Sequence, residues 1–86
     1  MRSKISIDVF NERYKLVEPF IEKAEMGDVS VVRDLPITLS IHGFVMKPTL
    51  DFRDEMPAIC KMFFIPEVDG VIAAWYYLIP AEDSQP

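Results

Sequence analysis

Residues 71–80, VIAAWYYLIP, carry no charge, and their only polar side-chain atoms are two tyrosine hydroxyls and an indole N–H. The density of β-branched and aromatic residues marks the stretch as a strand. In a strand, alternate side chains go to opposite faces, so Ile72, Ala74, Tyr76 and Leu78 share one side and Val71, Ala73, Trp75, Tyr77 and Ile79 the other. Both sides are apolar. A chain of 86 residues buries only about 60 to 65% of its extended surface on folding. One helix covers one face, and large apolar side chains left wet on the second would make a poorly soluble surface. The second cover must be the segment 28–35 folding back, a sheet curved onto itself, a second copy of the chain, or a different protein.

Composition narrows the remaining classes. Nine basic residues against fourteen acidic ones give a formal charge of −5, and the basic residues are scattered, so nucleic-acid binding lacks its electrostatic footprint. Cys60 is the sole cysteine, which excludes a disulfide framework within the chain and a thiolate metal cluster. The start, MRSKISIDVF, meets Asp8 before an apolar run of signal-peptide length develops. Residues 71–80 are about half the roughly 20 needed to span a bilayer as a helix. A cytoplasmic protein without membrane or nucleic-acid partners is expected.

Prolines at 19, 36, 48, 57, 66 and 80 cut the chain into segments of element length. From Asp8 to Met26, Phe10, Tyr14, Val17, Ile21 and Ala24 recur at intervals of four, three, four and three, with charged residues largely off that line. This is an amphipathic helix, which Gly27 stops and Pro19 kinks or divides. A rival reading pairs KISIDVF with YKLV as a hairpin. Residues 28–35, DVSVVRDL, fit a helix capped by Asp28 or a β-branched strand, and nothing local decides. ITLSIHGFVM reads as a half-buried strand with Ile37, Leu39, Ile41 and Val45 on one face and a bulge at Gly43. TLDF, residues 49–52, is expected as a further short strand. FFI, PEVDG and VIAAW together form a hairpin signature. The expected architecture is α+β: an N-terminal amphipathic helical segment on one face of a three- to four-stranded, mostly antiparallel sheet that ends in a C-terminal hairpin. Residues 1–80 make one domain, and the acidic end, residues 81–86, is expected to fray.

Few residues suggest chemistry. His42 and Cys60 are the only thiol and imidazole, with Asp51, Asp54 or Glu55 as a possible orienter, but their spacing matches no nucleophile–base motif. Cys60 reads better as a small buried apolar residue. One His and one Cys give no close-set ligand pair, so no metal and no cofactor are assigned. DFRDE, residues 51–55, could supply paired carboxylates but reads better as a solvated loop or helix start. The three glycines are isolated, which disfavours a phosphate-cradling loop.

The aromatic set Phe44, Phe52, Phe63, Phe64, Trp75, Tyr76 and Tyr77 exceeds what a two-layer core of this size absorbs comfortably. The sequence therefore points to a non-enzymatic interaction or regulatory protein. It is expected to form a homodimer, or to dock on an unidentified protein, through the hairpin face carrying Trp75 and Tyr77 with Phe63 or Phe64 opposite. The alternative is a small-molecule-binding or minimal catalytic domain, with an aromatic-lined pocket rimmed by His42, Asp51, Arg53 and Asp54.

Overall fold

The computed structural model describes residues 3–49 and 58–84. These form two α-helices, a three-stranded antiparallel sheet and a closing 3-10 turn, an α+β arrangement. Helix α1 spans Ile7–Glu25 and α2 spans Val29–Ile41; β1 is Phe44–Pro48, β2 Lys61–Ile65 and β3 Ala74–Pro80.

Helix α1 follows its periodicity. Ser6 accepts the Val9 N–H as N-cap, and Phe10, Val17, Ile21 and Ala24 are buried along one stripe. The helix is continuous through Pro19, which lies on the exposed side, as does Lys15, whose carbonyl loses its N–H partner there. This disposes of the rival hairpin. At the far end Gly27 takes φ +86°; its N–H donates to the Ala24 carbonyl and that of Asp28 to Lys23, which is the Schellman arrangement.

Asp28 then caps α2, accepting the Val31 N–H at 3.2 Å and the Ser30 hydroxyl at 3.0 Å. The Val31 bond is the main reason its carboxyl sits below the usual range. Residues 28–35 are thus helical, and the helix continues through 37–41, where a strand was expected. The reason is packing: Leu35 and Leu39, four apart, are fully buried, whereas Ile37 and Ile41 are 65% and 75% exposed. Gly43 is no bulge. At φ +82° it ends α2, its N–H donating to the Ser40 carbonyl, and strand β1 starts only at Phe44. Of the expected strand at 49–52, Thr49 lies outside any strand and the remainder lies outside the described residues.

The sheet order is β1-β3-β2, so the last strand in sequence is central, paired as Val45↔Ile79 on one side and Phe64↔Trp75 on the other. Residues 66–73 join β2 to β3. Their tip is a tight turn closed by Val68 and Val71, with Asp69 at φ +49° and Gly70 at φ +82°, the paired positive φ values that an Asp-Gly turn of this type requires.

Both helices lie on the sheet face carrying Phe44, Phe63, Ile65 and Leu78, and these four close the core with Phe10, Val17, Ile21, Leu35 and Leu39. Phe10 meets Phe44 edge to face at 5.2 Å. Each large apolar side chain so buried contributes about 1.5 to 3 kcal/mol. At the sheet's edge the Lys61 ammonium stands 4.0 Å from the Tyr14 ring centroid, tying β2 to α1.

Of the acidic end, residues 81–84 are described. Ala81–Ser84 is ordered as a 3-10 turn because its carboxylates have partners: Glu82 takes the Arg13 guanidinium, and Asp83 accepts the Ser3 hydroxyl and the Lys4 N–H. Among the described residues no helix is long and apolar enough to cross a membrane.

Candidate functional site

Strand alternation and helix placement together decide which aromatic residues stay available. Phe63 faces the helices, is 3% exposed and stacks on Tyr76 at 5.8 Å; it belongs to the core and does not share a face with Trp75. Phe64 points the other way. It stands directly opposite Trp75 in the ladder, with ring centroids 5.2 Å apart and planes tilted by 55°. Met62 opposes Tyr77 on the same outer side.

That outer face is graded. Ile79, opposite Val45, is 1% exposed; Tyr77 is half-buried; Trp75 and Met62 are 48% and 52% exposed. The wet end is therefore a patch of Met62, Phe64 and Trp75 at the β2 side of the sheet. Exposed aliphatic residues also occur on the helices, Leu16 and Ile37 among them, but those lack the aromatic pairing.

Of the residues suggested for chemistry, His42 and Cys60 are described. His42 is the C-cap of α2 and its Nδ1 lies 2.9 Å from the Thr38 carbonyl. A carbonyl only accepts, so Nδ1 carries the proton and donates, leaving Nε2 for solvent or a partner. Cys60 is half-buried just before β2, and burial pushes its thiol up, away from the thiolate a nucleophile needs. No hydrogen bond joins His42 to Cys60 among the described residues. Asp51, Arg53 and Asp54 lie outside the described residues. Among the described residues no group of three or more His, Cys, Asp or Glu side chains could hold a metal ion.

A cavity of about 320 Å³ opens elsewhere, between the N-terminal half of α2 and the hairpin connection. Val29, Val32 and Pro36 form one wall, and Met46, Ile65 and Tyr76 the sheet side. Val68 is buried next to Gly27 at the α1–α2 turn, holding the hairpin tip down. At the mouth the Arg33 Nη2–H donates to Asp69 Oδ2 at 2.8 Å, with both side chains well exposed. His42 does not line this space. Sequence reasoning missed it because its residues come from three separate segments. The legible signals were the Asp69-Gly70 turn and Arg33 set one helical turn from Val29 and Pro36.

Comparison with protein-family models, with curated proteins and with solved structures gives no match for this chain.

Proposed function

We propose that this is a cytoplasmic, non-enzymatic interaction protein that pairs with a second copy of itself through the outer face of its sheet. The observation that carries the reading is the Phe64–Trp75 pair, directly opposed and part exposed on the side the helices do not cover. Aromatic residues with large contact area and few rotatable bonds dominate binding energy at interfaces, and a neighbouring methionine such as Met62 adapts to an opposing surface. A two-fold axis through this face would let each copy cover the other's patch with identical residues. Burial raises the Cys60 thiol, away from the thiolate a nucleophile needs, which favours a binding role.

Light scattering after gel filtration tests this. The wild-type chain should elute at about twice its 9.9 kDa, and Trp75→Ser should weaken association at least about tenfold while leaving the circular dichroism unchanged. A single-chain mass for the wild type at micromolar concentration removes self-association; recovery of one stoichiometric protein on immobilised wild type, lost with Trp75→Ser, would reassign the face to that protein.

A further inference from the structure

We propose that the cavity between α2 and the hairpin tip is a binding site for a small amphipathic carboxylate, its apolar body inside and its carboxylate on Arg33. This site lies on the opposite side of the sheet from the Phe64–Trp75 pair and does not depend on it.

The dimensions and walls suit such a ligand. About 320 Å³ lies at the lower end of the volumes that small-molecule sites occupy. Val29, Val32, Met46, Ile65 and Val71 supply apolar wall, and Tyr76 brings a hydroxyl. A long unbranched or small aromatic body is favoured there for the reason any apolar surface is, removal from water.

Charge at the mouth selects the head group. Arg33 and Asp69 are the only charged side chains lining the cavity among the described residues. The guanidinium has five N–H donors in a planar fork, and among the described residues one of them is engaged, by Asp69. A ligand carboxylate can take two of the others side by side without first expelling Asp69. The existing pair is also exposed on both sides, so it is a weak competitor. An ammonium head group has no comparable fork, and it would have to bind Asp69 beside the guanidinium already there.

The hairpin tip is built to sit over this space. Val68 packs near Gly27, and Asp69 reaches Arg33, so the tip is fastened on both sides of the cavity. Only the Arg33 fastening is polar and exposed, so that is the side through which a ligand enters.

The test uses three probes with the same body, octanoate, octanol and octylammonium, each titrated below its aggregation range into isotopically labelled wild-type protein and followed by amide NMR. Octanoate should bind saturably at one site, about tenfold more tightly than the other two. Its shifts should centre on residues 29–36 and 65–71. Arg33→Gln, an exposed substitution, should bring octanoate down to the octanol level. Asp69→Asn removes the competing carboxylate while tolerating the positive φ, and should tighten octanoate binding. The proposal is overturned by absence of saturable octanoate binding, by equal affinities for the three head groups, by shifts centred on the outer sheet face, or by an unchanged octanoate affinity in Arg33→Gln.

Discussion

Arg13 and Glu82 meet fork to fork: Nη1 donates to Oε1 at 2.9 Å and Nη2 to Oε2 at 2.6 Å, joining the second turn of α1 to the C-terminal 3-10 turn. The same Nη1 donates to the Gly43 carbonyl at 3.2 Å, and that carbonyl also accepts the Ala81 N–H. Three places in the chain thus converge on one guanidinium.

The first prediction concerns acid. The Arg13 hydrogen bonds hold the Glu82 carboxyl at about 2, below its ordinary 4.5. A carboxyl depressed in the folded state stabilises it fully above its unfolded value, and that contribution disappears as pH falls through the folded one. The window is therefore about 4.5 down to 2. Glu82→Gln should cost about 1 kcal/mol at neutral pH, the modest figure reflecting partial exposure of both groups. It should also flatten, without abolishing, the loss of stability across that window, because the Asp28 carboxyl is lowered independently. Denaturant unfolding at a series of pH values measures both effects.

Two glycines at the same φ should respond differently to alanine. Gly43 and Gly70 both sit at +82°, so either substitution carries the left-handed penalty of about 1 to 2 kcal/mol. At Gly70 a Cβ would meet nothing within 4 Å, but at Gly43 it would come within 3.0 Å of Arg13 Nη1. Gly43→Ala should therefore displace the guanidinium and remove part of the Glu82 acid dependence as well, whereas Gly70→Ala should leave that dependence intact. The pH series just described, run on both variants, separates them.

Residues 37–41 offer a direct check on helix against strand. Leu39 is fully buried between Ile37 and Ile41, which are exposed. Leu39→Ala should cost about 2 to 5 kcal/mol. Ile37→Ser and Ile41→Ser should stay within about 0.5 kcal/mol each. A half-buried strand would make all three costly, so thermal or chemical denaturation of the set decides the matter.

Cys60 should be a slow nucleophile. Half-buried and with its thiol pushed up by burial, it should react with iodoacetamide at mildly alkaline pH well below the rate of the unfolded chain. Mass spectrometry of samples quenched over time, with and without denaturant, reads the ratio; equal rates would show that burial does not protect it.

Helix α1 was legible in advance because its signals agree: Phe10, Val17, Ile21 and Ala24 repeat at helical spacing, Gly27 ends it, and the charged residues fall elsewhere. Helix α2 was not, because its signals conflict. Val29, Val31, Val32, Ile37 and Ile41 are β-branched, Pro36 resembles a boundary, and Ile37, Leu39 and Ile41 alternate as a strand would. What overrides them is long-range: Leu35 and Leu39 pack into the core alongside α1, an interaction no local pattern contains. The site followed the same division. Alternation separated the two faces of β3 over Ala74–Pro80, while 71–73, expected in the strand, lie in the connection before it; choosing Phe64 over Phe63 as the partner of Trp75 needed the register, which depends on the length of that connection. Order at residues 81–84 depended on Arg13, sixty-nine positions away in sequence.

The central position of β3 bears on how the molecule comes into being. A ribosome releases α1, α2, β1 and β2 before the strand to which both β1 and β2 must zip. Among the described residues those two find their ladder partner only when Ala74–Pro80 emerges, and the Arg13 fork waits for Glu82 beyond it. Completion of the sheet therefore comes late, and its β1–β3 ladder joins residues far apart in sequence. A nascent chain arrested before residue 74 would hold its helices as a loosely collapsed cluster, exposed to chaperones and proteases for as long as the pause lasts.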